Sequence, residues 1–257
     1  MEELKLPQII QEYTKDMLYE KNEVGCSNAS LYHYTNNDKD YYLKIEKTNS
    51  MFEHEQKILQ WLQKRLPVPK IIAQCREYGN DYLLMTKVVG EMAFSEQHLK
   101  DPTKLVSLLS VGIKILHAVD ISDCPFDCTL KKTLKFVWKR VKNNEVDMNN
   151  WKESTHFNTP KELYDYLLVN QPEEELVFSH GDYCLPNVLF DSGKVTGFID
   201  LGNAGISDKW EDIASCIRSL ELNLKSNEYT NMFLECLNIK PDYEKINYYS
   251  LLNELYK

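Results

Sequence analysis

Apolar and polar positions change period along this chain. LYHYT (31–35) and DYYLKI (40–45) are aromatic and β-branched runs around an Asn-Asn-Asp turn, which predicts a β-hairpin. From 51 to 66 the period becomes helical, with Ile58, Leu59, Leu62 and Leu66 on one apolar stripe and Pro67 and Pro69 to halt it. DYLLMTKVV (81–89) predicts another strand, ended by Gly90. Helical patterns then dominate, over 103–119, 130–143, 161–169, 209–224 and 242–256. Two short strands, VLF (188–190) and VTGFI (195–199), flank the turn Asp191-Ser192-Gly193-Lys194. A small β-rich part followed by a larger, mostly helical part predicts an α+β chain of two lobes, 1–88 and 89–257.

The 257 residues, 43% hydrophobic and 27% charged, suffice for a sizeable globular core. The net charge of −9 argues against nucleic acid as a partner, since phosphate backbones need clustered Lys and Arg. Through Val88 there are 13 acids and 12 bases, and beyond it 26 acids and 18 bases. That excess serves solubility, or it lines a cleft that attracts a cationic small molecule. No apolar run is long enough to cross a membrane, and MEELKLPQII lacks the basic-then-apolar pattern of a signal peptide. Seven cysteines without paired metal spacing fit a reducing, cytoplasmic setting. Cys124 and Cys128 form a C-x3-C with no matching second half. No obligate protein partner is evident.

Glu55 lies on the apolar stripe of the 51–66 helix. A carboxylate on an inward face must find a cation, and Lys44 on the preceding strand is the natural partner. A strand lysine paired with a helix glutamate places an ammonium against ATP phosphates in kinases. The same pair also serves as a purely structural salt bridge elsewhere. Asn187 precedes the strand 188–190 and Asp200 follows 195–199, nearly symmetric about Gly193, so antiparallel pairing predicts both at one open end. An amide oxygen and a carboxylate are hard ligands suited to magnesium held jointly with phosphates. Asp182, in HGDYCLPN (180–187), feeds that end and is the candidate to meet a substrate hydroxyl. Taken alone, the motif also reads as a surface turn rich in Asp and Asn. VGCSNAS (24–30) offers a phosphate loop with Gly25 and Ser27 but no G-x-G-x-x-G. Tyr42 shares a strand face with Lys44 and suits either stacking on adenine or core packing.

With these residues assembled, the chain resembles the aminoglycoside 3'-phosphotransferases. The likeness is carried by LVFSHGDYCLPNVLF (176–190), KVTGFIDLGNAG (194–205) and DKWEDIASCIRSL (208–220), with support from YYLKI (41–45), WLQKRLPVPK (61–70), HAVDISDCP (117–125) and the C-terminal IKPDYEKINYYSLLNELY (239–256). It implies a bilobal protein-kinase-like fold, with a small β-rich N-lobe and a larger, mostly helical C-lobe. It also implies ATP and Mg2+ as cofactors, and transfer of phosphate to the 3'-hydroxyl of an aminoglycoside, conferring resistance. By the same resemblance Lys44 contacts the α- and β-phosphates and Glu55 fixes it. Ser27 covers the β-phosphate, Tyr42 stacks on adenine, and the backbone from Thr86 to Val88 meets the adenine edge. Asp182 orients the acceptor hydroxyl, and Asn187 and Asp200 hold magnesium. His180 and Arg218 are scaffold, while Asp208 and Asp212 cap or brace the helix that follows them.

The resemblance also implies acceptor amino groups met by carboxylates. Asn149, Lys152, Leu222 and Asn253 are non-acidic at such positions, whereas Glu153, Glu221 and Glu254 remain acidic neighbours. Asn203 stands where many relatives have arginine. The cationic acceptor is accordingly an aminoglycoside or another hydroxylated amine, such as an amino sugar, a choline-like compound or a peptide antibiotic. A catalytically silent nucleotide-binding protein is the remaining reading.

Overall fold

Five antiparallel strands, in the order β1-β2-β3-β5-β4, form the first sheet of the computed structural model, which describes residues 5–22, 29–48, 50–151 and 155–256. They are β1 (Leu18–Asn22), β2 (Ser30–Thr35), β3 (Asp40–Lys47), β4 (Ile71–Glu77) and β5 (Asn80–Thr86). The expected hairpin is β2–β3, closed at Thr35↔Asp40, with Asn36 Oδ1 accepting the N–H groups of Asp38 and Lys39. Strand alternation gives this sheet two distinct faces. Tyr34, Leu43, Tyr82 and Leu84 point to one face and pack with Ile10 of α1 (Gln8–Thr14). Lys44 and its cross-strand neighbour Leu83 point to the other.

Between β3 and β4 runs α2 (Ser50–Leu62), with Phe52, Ile58, Leu59 and Leu62 buried. It stops four residues short of the expected 66. The N–H of Arg65 and the N–H of Leu66 both converge on the Leu62 carbonyl, at 2.8 and 3.0 Å, so the chain tightens before Pro67. β5 likewise ends at Thr86 rather than 89.

The second set of elements is mostly helical. It contains β6 (Glu91–Met92), α3 (Glu96–Leu99), α4 (Pro102–His117), α5 (Leu130–Lys142), α6 (Pro160–Val169) and β7 (Leu176–Ser179). The chain continues through β8 (Val188–Asp191), β9 (Lys194–Phe198), β10 (Gly205–Asp208), α7 (Lys209–Leu224), α8 (Glu228–Leu237) and α9 (Tyr243–Glu254). β8 and β9 adjoin through a two-residue turn in which Ser192 (φ 48°) and Gly193 (φ 75°) are both left-handed, the conformation that matches strand twist. Asp101 caps α4 ahead of Pro102, Thr159 caps α6 ahead of Pro160, and Asp208 caps α7, each accepting a first-turn N–H. Among the described residues no helix is long and apolar enough to cross a membrane.

The chain divides into two compact units. One is the chain through Val89 together with Gly197–Gly202, and the other is Gly90–Thr196 together with the chain from Asn203 onward. At the centre of the second, α7 buries Trp210, Ile213, Ala214, Cys216, Ile217 and Leu220 along with several polar groups. The buried Asp208 is paired by Lys245 of α9 at 3.0 Å, a bridge that would cost several kcal/mol if one partner were lost.

Glu211, also buried, accepts the Ser207 hydroxyl at 2.5 Å. Burial pushes its carboxyl up from 4.5 to about 8, with the charges of Asp212, Asp208 and Glu174 adding and Ser207 opposing. A carboxyl whose pKa is higher folded than unfolded takes up a proton on folding. Its contribution to stability therefore falls as pH rises from 4.5 to about 8 and is level beyond. Glu211→Gln keeps an acceptor for Ser207 and removes the ionisation. Urea unfolding should show the variant gaining on the wild type steadily between about pH 5 and about pH 9. A stability difference independent of pH would refute a proton taken up at this carboxyl.

Candidate active site

Lys44 is placed on β3, on the face of the sheet opposite the Tyr34–Leu43–Leu84 cluster. Its Nζ donates to Glu55 Oε2 at 2.7 Å and to Asp200 Oδ1 at 3.2 Å. Burial would lower the lysine pKa, but the two carboxylates outweigh it and hold the ammonium above its ordinary range. Glu55 is only 4% exposed. Burial pushes its carboxyl up despite the pull of Lys44.

Asp200 reaches Lys44 because Gly197 lets its segment approach closely. A Cβ on Gly197 would lie 2.2 Å from Val88 Cγ1 and 2.9 Å from the Pro67 carbonyl, and the N–H of the next residue, Phe198, donates to that carbonyl at 3.0 Å. Asp200 has φ 56°, a left-handed conformation uncommon for a non-glycine residue and frequent at functional sites.

Tyr42 lies two residues before Lys44 on the same face, with its ring stacked on His33 at 4.8 Å. Around Thr86–Val88 two backbone donors are already used. The Thr86 N–H goes to the Lys70 carbonyl and the Lys87 N–H to the Asp40 carbonyl. The Lys70 N–H goes to Thr86 Oγ1 rather than to its carbonyl. Strand parity directs the Thr86 carbonyl to the same edge as its N–H, away from β3. Ser27 lies outside the described residues.

In the second unit, the turn at Ser179–Gly181 is anchored on α7. Asp212 is fully buried, and its Oδ1 accepts from Ser179 Oγ (2.9 Å) and the Gly181 N–H (3.1 Å). Its Oδ2 accepts from the His180 N–H (3.0 Å) and His117 Nε2 (3.1 Å). Burial alone would raise this carboxyl, but the His117 and His180 contacts hold it below the ordinary range. Further along the same helical stripe, Ser215 Oγ lies 3.5 Å from Asp182 Oδ1 and Ser219 Oγ accepts the Leu185 N–H at 3.0 Å. Asn187 Nδ2 donates to Asp182 Oδ2 at 3.1 Å and to the Asp182 carbonyl at 3.0 Å, which leaves its amide oxygen as the atom to present. Sequence reasoning took Asp212 as a brace for its own helix and missed Ser215, Ser219 and His117. The signal was the i, i+3, i+7 spacing of polar residues on an otherwise apolar helix.

Of the acidic candidates for an acceptor, Glu153 lies outside the described residues. Glu221 is half-buried on α7. Glu254 is buried, with Oε1 accepting from Arg218 Nη1 at 2.9 Å. Its Oε2 has no hydrogen-bond partner among the described residues. Asp182 and Asn187 belong to the second unit, and Lys44, Glu55 and Asp200 to the first.

A lysine held by a helix glutamate beneath an antiparallel sheet, with an HGD turn anchored on a buried helix, defines a phosphotransferase of protein-kinase-like fold. Residues 19–240 match the model of the phosphotransferase enzyme family. An aminoglycoside 3'-phosphotransferase of Enterococcus faecalis is 41% identical over 92% of both chains, and one of Staphylococcus aureus is 40% identical over 92% of both. The crystal structure of an aminoglycoside-3'-phosphotransferase of type VIII superposes with a TM-score of 0.86 at 26% identity, covering 96% of each chain. A Streptomyces rimosus aminoglycoside phosphotransferase, solved with ADP and streptomycin, shares the fold at a TM-score of 0.81 and 22% identity, again over 96% of each chain. The chain belongs to the phosphotransferase enzyme family, within its aminoglycoside 3'-phosphotransferase group.

Gly181 has φ 75°, and a Cβ there would lie 2.3 Å from the Asn203 carbonyl oxygen. Gly181→Ala is expected to displace the turn and lower stability by about 1–3 kcal/mol. Hydrogen exchange at the His180 and Gly181 amides should speed up as their bonds to Asp212 lengthen. Wild-type melting together with wild-type protection would show that the turn does not depend on this close approach.

Proposed function

We propose that this enzyme transfers the γ-phosphoryl group of ATP, with magnesium, to the 3'-hydroxyl of an aminoglycoside in the cytoplasm, and so confers resistance. The observation that carries the reading is Lys44 held between Glu55 and Asp200 in a chain 41% identical to an aminoglycoside 3'-phosphotransferase.

Lys44 remains cationic and meets the α- and β-phosphates, with Glu55 fixing its position. The Thr86 carbonyl and Val88 N–H supply an acceptor–donor pair for the adenine edge, Tyr42 stacks on the base, and Ser27 covers the β-phosphate. Asp200 has a side chain about half exposed, and Asn187 has its amide nitrogen committed to Asp182. Both thus present hard oxygens of the kind magnesium takes. Bound there, magnesium neutralises charge developing on the phosphate oxygens. Asp182, steadied by Asn187 and Ser215, accepts the acceptor hydroxyl's hydrogen bond, orients its oxygen toward the phosphorus and takes the proton late. Glu153, Glu221 and the unpartnered Oε2 of Glu254 receive acceptor ammonium groups.

Asp182→Ala should lower kcat by about 10²–10⁴-fold with ADP affinity nearly unchanged, whereas Lys44→Ala should chiefly weaken nucleotide binding. Coupled ATP-turnover assays over a panel of aminoglycosides with and without a 3'-hydroxyl, with product mass, test both residues and acceptor. Turnover by Asp182→Ala at the wild-type rate would remove that residue from the chemistry. ATP binding with no phosphorylation of any panel member would move the acceptor to another hydroxylated amine.

A further inference from the structure

Beside the lysine site, on the same face of the first sheet, five side chains form a connected row that the phosphate chemistry does not use. His33 of β2 stands directly opposite Tyr42 of β3, with ring centroids 4.8 Å apart and planes 20° from parallel. His33 Nε2 is 2.5 Å from Asp40 Oδ1, and Nδ1 is 3.5 Å from Glu20 Oε1 on the neighbouring strand. The second oxygen of Asp40 pairs with Lys87 Nζ at 3.1 Å, and the Asp40 carbonyl accepts the Lys87 N–H at 3.0 Å. Burial would raise the Asp40 carboxyl, but His33 and Lys87 together hold it below its ordinary range.

This row adds a side-chain link between two places already adjacent through the pairing of β3 with β5. One end is the ring of Tyr42. The other is Lys87, the middle residue of Thr86–Val88. A stacking platform discriminates orientation only if its own torsions are held. A tyrosine on an open strand face has two free torsions, and a parallel ring alongside removes most of that freedom. The imidazole in turn is held by the short contact to Asp40, and Asp40 by Lys87 through both its side chain and its carbonyl.

We propose that His33 is a positioning residue for the purine base. Clamped by Asp40, it sets the plane of Tyr42, while the Asp40–Lys87 pair ties that plane to the backbone that reads the base edge. The inference rests on the nucleotide reading above and adds to it a set of residues specific to the base rather than to the phosphates.

The test uses the full-length chain and three ligands: MgATP as substrate, and MgADP and inorganic tripolyphosphate as binding probes. His33→Ala is expected to raise KM for ATP and Kd for MgADP about three- to tenfold, the range of one aromatic stacking contact. kcat, the acceptor KM and tripolyphosphate affinity should stay at wild-type values. His33→Phe, which keeps a flat ring but not the Asp40 contact, should recover only part of the lost ADP affinity, since the ring is no longer clamped. Wild-type ADP affinity in His33→Ala, alongside weakened ADP binding in Lys44→Ala, would overturn the proposal and leave the nucleotide reading standing. Equal losses for ADP and tripolyphosphate, or full recovery in His33→Phe, would also overturn it. Unchanged ADP binding in both His33→Ala and Lys44→Ala would remove the nucleotide reading itself.

Discussion

The second unit is organised around a carboxylate that water cannot reach. Asp212 accepts four donors, two on each oxygen, and three of them come from the consecutive residues Ser179, His180 and Gly181. The fourth comes from His117 at the end of α4. A lone buried carboxylate would cost several kcal/mol, so the turn can leave this position only by exposing an uncompensated charge. Rigidity of the loop is thus derived from α7, whose Ser215 and Ser219 continue the same stripe to Asp182 and Leu185. Gly181 completes the logic, because the backbone of Asn203 occupies the space a side chain would need.

In the first unit the order of events is reversed, since a cation is enclosed by two acids. Lys44 sits between Glu55 and Asp200, and their combined field overcomes the penalty of burying its ammonium. The two carboxylates are not equivalent. Glu55 is sealed within α2 packing, whereas the side chain of Asp200 is about half exposed on a segment held by the close approach of Gly197. One partner therefore fixes the lysine permanently, and the other can still turn toward a ligand. That asymmetry suits a site that must hold its cation in place before the nucleotide arrives.

Parts of this arrangement were legible from the chain because they contradict the local pattern. Glu55 on an apolar stripe announces a buried cation, and the Ser192-Gly193 turn announces its hairpin. Other parts were hidden where geometry alters the period. β4 carries a register shift between Ile71 and Ala73, so its alternation is broken and no strand was expected there. The 51–66 stripe suggested a longer helix because Leu66 is buried even though α2 ends at Leu62. Asp212 looked like an ordinary first-turn acid, since its partners lie 31–33 and 95 residues away in sequence. The His33–Asp40 pair, closer in sequence, went unread because neither residue interrupts the hairpin pattern.

The acidic excess after Val88 invites the idea of a surface field for a cationic acceptor, and the structure changes what that excess can mean. Asp208 is spent on Lys245, Asp212 on His117 and three backbone or hydroxyl donors, and one oxygen of Glu254 on Arg218. Glu211 is held toward its neutral form by burial. Those four acids are therefore internal and contribute little to a field in solvent, so such a field has to come from the other acids of this unit. The second oxygen of Glu254 is likewise buried and has no partner among the described residues, although its carboxylate already pairs with Arg218, so it is a desolvated acceptor whose cost the packing around it must offset.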